Sequence, residues 1–131
     1  MDTNQSETRT APAWYAQVPG REFTKDPEGS AISGPVSIKD SGFDQIIYRN
    51  GDKSITFMDE LMVQDGMALG SSVFPMYDWA WDESCGGGEI APNDRNAIIA
   101  DIRNAFKLWG PLPAVFEWDA VPTTGVKIPE A

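Results

Sequence analysis

The chain has no histidine among its 131 residues and only one cysteine. The first absence removes every His-based catalytic triad, every His-ligated zinc site and the commonest general base at neutral pH. The second forbids an intramolecular disulfide and fits a reducing compartment. Cys85 stands beside Gly86 to Gly88 and near Glu83 and Glu89, an acidic setting unsuited to a thiolate nucleophile, so it reads as a bystander. No apolar run approaches the roughly 20 residues that span a bilayer. The opening MDTNQSETRT carries an acid and no hydrophobic stretch of the kind a secretory leader needs, which makes the cytoplasm the expected compartment.

Basic residues are scarce as well. Ten Lys and Arg stand against twenty Asp and Glu, a net charge of −10 and a pI near 4.2. Such a field repels nucleic acid and anionic lipid and attracts basic proteins. Phosphate motifs are missing: no Gly-Lys-Ser/Thr follows the triglycine, and there is no dinucleotide fingerprint. The carboxylates match no EF-hand spacing, so neither a metal nor a cofactor is expected.

What is present is concentrated between Ser54 and Asp94. This stretch holds Asp59, Glu60, Asp65, Asp78, Asp82, Glu83, Glu89 and Asp94 with no Lys or Arg, and adds Phe57, Phe74, Tyr77, Trp79 and Trp81. It is acidic and aromatic together, which suits a surface that meets a basic partner. The candidate partner-binding residues are Tyr77, Asp78, Trp79, Asp82, Glu83 and Glu89, with the aromatics as anchors and the carboxylates as ion-pairing groups. A solvated acidic rim over an aromatic core accounts for the same pattern without function. For Trp79 and Trp81 the plain reading is core, and one edge strand can bury Trp81 while offering Trp79.

The size implies one domain with a real core. Residues 1–30 show no periodicity and read as a loosely ordered arm, with Trp14 and Tyr15 able to pin it to the domain. Alternation over Pro35–Lys39, Asp44–Arg49 and Lys53–Met58 marks strands, and Asn50-Gly51 between two of them predicts a type I′ hairpin. Strand parity sets Asp59 on the same face as Ile55 and Phe57, which predicts a bulge or bend nearby. Asp65-Gly66 predicts a second turn, followed by a strand from Met67 to about Tyr77 weakened by Gly70 and Pro75. If the extension continues, Tyr77, Trp79 and Trp81 share one face, turned inward, and Asp78, Ala80 and Asp82 the other, turned outward. Glu83–Glu89 reads as a flexible connector.

Ile98, Ile102, Ala105, Phe106 and Trp109 form one helical stripe over Asp94 to Trp109, with Asn93 as cap and Gly110-Pro111 as stop. Ala114–Trp118 reads as a last strand and residues 120–131 as a short tail. Residues 31–119 therefore predict a single α+β domain: an antiparallel β-sheet of about four to six strands with one main C-terminal amphipathic helix on one face.

The run from Trp81 through Glu89-Ile-Ala-Pro-Asn-Asp-Arg-Asn-Ala-Ile-Ile-Ala-Asp-Ile102 to Phe106 and Gly110 resembles the C-terminal part of small immunity proteins of bacterial polymorphic toxin systems. It covers about a third of the chain, which departs from the family in its longer N-terminal arm and its triglycine. The resemblance implies a non-enzymatic inhibitor of a cognate toxin domain. The charge points the same way, because toxins acting on nucleic acid are basic where they hold phosphates. Two alternatives stand beside it. The carboxylates can mimic nucleic acid and block a basic DNA-binding protein, or an acidic aromatic groove can bind carbohydrate or support carboxylate-dependent catalysis with Asp82 or Glu89 as acid.

Overall fold

The computed structural model describes residues 10–128. Its strands are β1 (Thr24–Lys25), β2 (Ala31–Ser33), β3 (Val36–Gly42), β4 (Gln45–Asn50), β5 (Lys53–Gln64), β6 (Met67–Pro75), β7 (Ala114–Val115) and β8 (Val126–Lys127), with helix α1 over Pro92–Trp109. They form one sheet in the order β1-β2-β3-β4-β5-β6-β7, with β8 pairing to β6. All neighbours are antiparallel except β6 and β7, which the chain joins through α1 in the parallel sense. The class is α+β as expected. The sheet is larger than the four to six strands anticipated, because strands β1, β2 and β8, two or three residues each, are too short to show any alternation.

Three successive hairpins build the centre. In the Asn50-Gly51 hairpin Asn50 pairs with Lys53, so the turn residues are Gly51 and Asp52, and of these only Gly51 has a positive φ, 62°. The hairpin is where the sequence placed it, but its turn sits one residue later and is not type I′. The β5–β6 turn does have both central residues left-handed, Asp65 at 53° and Gly66 at 75°. No bulge falls at Asp59: β5 pairs regularly with β6 from Phe57 to Met62, and the shift comes at Met62/Val63. Asp59 tolerates its parity because β5 is passing out from under the helix. It is half-buried in a cleft with Asp40, Ser71, Phe106 and Trp109. Burial there pushes its carboxyl above the ordinary range, Asp40 and Asp44 add to the rise, and a hydrogen bond with the Ser71 side chain opposes it.

The core lies between sheet and helix. Val36, Ile38, Ile46, Tyr48, Ile55, Phe57 and Val73 meet Ile98, Ile99, Ile102, Ala105 and Phe106. Helix α1 starts one residue before the expected cap: Ala91 is its N-cap, without a side-chain bond, and Pro92 fills the first turn. Proline has no N–H to leave unpaired there.

Of the segment read as a loose arm, residues 1–9 lie outside the described residues, and from Trp14 to Gly29 it is instead tied along the helix. Asn96 accepts the Ala16 N–H through Oδ1 at 3.0 Å and donates through Nδ2 to Trp14 O at 2.7 Å. Asn104 donates to Pro19 O and Arg21 O, and Trp109 Nε1 donates to Gly29 O. Asp101, 1% exposed, accepts the Arg21 N–H at 3.0 Å and the Tyr48 hydroxyl at 2.8 Å. Nearer the end of the chain, Asp119 binds Arg103 at 2.6 Å and the Tyr15 hydroxyl at 2.9 Å, beneath a cluster of Trp14, Tyr15 and Trp118 rings. The last expected strand shortens to Ala114–Val115 because Asp119 turns back to accept the Phe116 N–H. Residues 120–128, expected as tail, contribute β8. Among the described residues no helix is long and apolar enough to cross a membrane.

Candidate functional site

The site begins where β6 stops. Pro75 has no N–H to continue the ladder, yet the chain stays beside β5: Met76 N–H donates to Thr56 O at 3.0 Å and Asp82 N–H to Ser54 O at 2.8 Å. Between these two bonds Tyr77–Trp81 leaves the sheet as a loop. Asp78 turns it, its Oδ1 accepting the Trp79 N–H at 2.8 Å while its carbonyl accepts the Ala80 N–H at 2.8 Å. That turn breaks the alternation expected through this stretch.

The side chains are redistributed accordingly. Tyr77, expected inward, is 89% exposed. Trp79 faces the core, with its ring 5.5 Å from Phe57 and 6.1 Å from Trp14. Trp81 is half-buried with Lys53 Nζ 5.7 Å from its ring centre. Asp82, expected outward, turns onto β5, where its Oδ2 accepts from Ser54 Oγ at 2.9 Å and Thr56 Oγ1 at 3.2 Å. The offered ring is thus Tyr77, and Trp79 is scaffold.

Glu83–Glu89, expected as a flexible connector, is a bonded turn. Glu83–Cys85 forms a single 3-10 turn, and Gly87 N–H reaches back to Asp82 O at 3.0 Å. Gly86, Gly87 and Gly88 have φ of 108°, 66° and 102°, which side-chain-bearing residues adopt at a cost, so the triglycine is a folding requirement. Bonds from Trp81 N–H to Gly88 O and from Ile90 N–H to Trp79 O, both 2.9 Å, close the loop. Cys85 helps: its sulfur accepts the Ser54 N–H at 3.3 Å and donates to Asp82 O at 3.1 Å. Arg95 fastens the base of the loop to α1, donating to Ile90 O at 2.8 Å and Glu89 Oε2 at 2.9 Å, with its guanidinium 5.1 Å from the Trp14 ring and 6.0 Å from Trp79. Glu89 is therefore engaged within the chain.

Between loop and β5 lies an open groove of about 780 Å³, lined by Ile55, Met76, Tyr77 and Trp81 and bordered by Asp78, Asp82 and Glu83. Of the six candidate residues, four line this groove: Tyr77, Asp78, Asp82 and Glu83. Trp79 and Glu89 support it from behind. Thr56 and Gln45, which also line it, went unnoticed in the sequence; strand parity sets Thr56 opposite Ile55 and Phe57, but nothing announced that a loop would fold over it. The three bordering carboxylates have no ion-pair partner among the described residues. Asp78 and Glu83 are solvent-exposed. The described residues contain no group of acids and thiols placed to hold a metal ion.

Comparison with protein families, with curated proteins and with solved structures finds no match.

Proposed function

We propose that this chain is a non-catalytic binding protein of the cytoplasm that neutralises a basic toxin domain by protein–protein interaction through the groove beside Tyr77–Glu83. The observation that carries this reading is the combination in one groove of an exposed aromatic anchor, an apolar floor and carboxylates with no ion-pair partner among the described residues. A floor of Met76 and Trp81 supplies area, Tyr77 supplies a ring at low entropic cost, and Asp78 and Glu83 select a Lys- or Arg-bearing surface. The net charge of −10 steers such a partner from a distance. The resemblance of the Trp81–Gly110 run to immunity proteins names the kind of partner.

Asp78→Asn with Glu83→Lys tests the reading, since both side chains are exposed and asparagine keeps the Oδ1 that accepts the Trp79 N–H. Cells co-expressing the proposed partner, a basic toxin domain to be sought in the neighbouring gene, should be protected by the wild type and killed with the double variant. Undiminished protection by the double variant would place the inhibitory face elsewhere. Competition with DNA for several unrelated basic proteins would favour the nucleic-acid mimic, and Trp81 fluorescence changes on adding an oligosaccharide would favour a sugar site.

A further inference from the structure

Strand β5 is flanked on both sides for only part of its length. Lys53 to Met58 pair with β4 and Phe57 to Gln64 pair with β6. Beyond Met58, no described strand lies on the β4 side. The β3–β4 turn ends there, with Asp59 N–H donating to Asp44 O at 2.9 Å as the last bond on that side. In a strand the N–H and C=O of one residue point the same way and those of the next residue the opposite way. The Asp59 bond therefore fixes the phase: residues 59, 61 and 63 turn their backbone toward the β4 side, residues 60, 62 and 64 toward β6. The two hairpins agree, since Asn50↔Lys53 and Gln64↔Met67 are the pairs that close their two-residue turns.

Leu61 and Val63 consequently present their N–H and C=O groups along an open edge, and their side chains are 55% and 53% exposed. At the head of that edge, in line with β4, stands the β3–β4 turn, where Phe43 is 95% exposed. Phe43 and Asp44 have φ of 54° and 61°. A ring is thus displayed to water on a left-handed backbone that glycine or asparagine adopts more easily. Asp44, Asp59, Glu60 and Asp65 flank the edge, and no Lys or Arg occurs from 54 to 94.

We propose that the open edge of β5 at Leu61 and Val63 is a strand-addition site for an extended segment of another protein in which apolar residues alternate with Lys or Arg. Unpaired edge groups are the template for such pairing. The incoming backbone completes the bonds of Leu61 and Val63, its apolar side chains extend the face of Phe43, Leu61 and Val63, and its cations meet the flanking carboxylates. A second copy of this chain fits less well, since antiparallel pairing about Met62 sets Asp59 against Asp65 and joins two chains of −10. The edge lies beyond Met58, at the opposite end of β5 from Ile55 and Thr56 in the groove, and does not depend on the toxin reading.

The test is amide hydrogen exchange on the full chain with a synthetic peptide of about ten residues alternating Val and Lys. Saturating peptide should slow exchange at Leu61 and Val63 by about tenfold or more, leaving Glu60 and Met62, already bonded to β6, unchanged. Val63→Pro should abolish the effect with the melting temperature kept, because that N–H faces the side of β5 on which no described strand lies. Leu61→Asp with Val63→Asp, which retains every backbone N–H, should abolish it too. The proposal is overturned if either variant protects as the wild type does, if a Val/Glu peptide protects equally, or if the Leu61 and Val63 amides are slow without peptide in proportion to protein concentration, which would assign the edge to a second copy.

Discussion

Asp101 occupies a helix position where a charge looks like surface decoration, yet it joins three elements. Its carboxylate takes the Tyr48 hydroxyl from β4 and the Arg21 N–H from the N-terminal segment, with Arg21 Nε 3.4 Å away. Removing it leaves a buried hydroxyl and a backbone donor without partners. Asp101→Ala should cost about 3 to 5 kcal/mol, measured by urea denaturation. Burial, with the Asp101 charge and hydrogen bond adding to it, raises the Tyr48 pKa far above its ordinary value. A raised folded-state pKa means the contribution is complete below the unfolded value and fades as the pH passes it. Stability should therefore fall as the pH rises above about 10, and Tyr48→Phe should flatten that fall. Asp59 follows the same sign at the acid end: its charged form is disfavoured in the fold. Asp59→Asn should raise the melting temperature at neutral pH, and the gain should shrink on acidification through the folded-state pKa.

At the scale of elements, the hairpins and the helix were legible because their signals are local. Asn50-Gly51, Asp65-Gly66 and the Ile98–Phe106 stripe each announce one element within a few residues. Of the N-terminal segment only the pinning by Trp14 and Tyr15 was legible, because the rest of what orders it lies 80 or more residues away on α1, in Asn96, Asp101 and Asn104. Polar residues on a helix do not reveal whether they face water or another backbone. Gly20 marks the closest approach: with φ at 73°, a Cβ there would sit 2.7 Å from Asn104 Nδ2 and 2.9 Å from Ala100 O. Gly66 has a similar φ, 75°, and open space around it. Gly20→Ala should thus destabilise by about 2 kcal/mol or more, and Gly66→Ala by about 1 kcal/mol, the conformational cost alone. Equal losses by thermal denaturation would mean the segment does not press on the helix. The Tyr77–Glu89 loop was half legible. Its composition marked the right stretch, but parity failed at Asp78, where a side-chain bond to the backbone turned the chain and exchanged the roles of Tyr77 and Trp79.

For the whole molecule, charge and topology act together. The same crossover that carries the chain from β6 through α1 to β7 forces the loop after Pro75 to fold over the start of β5, and the base-free composition of that loop makes its groove acidic. Internal cations are spent on scaffold: Arg95 on Glu89 and two tryptophans, Arg103 on Asp119, Arg21 on Asp101. The rim carboxylates Asp78, Asp82 and Glu83 have no ion-pair partner among the described residues. The most direct measurement is the association rate with a basic toxin domain, the partner proposed above, followed by stopped-flow fluorescence from about 50 to about 500 mM salt. The wild type should associate at least about tenfold faster at the low end, and Asp78→Asn with Glu83→Lys should weaken that salt dependence and slow association at low salt. A wild-type rate indifferent to salt, or a double variant that associates as fast as the wild type, would contradict an acidic groove as the docking face.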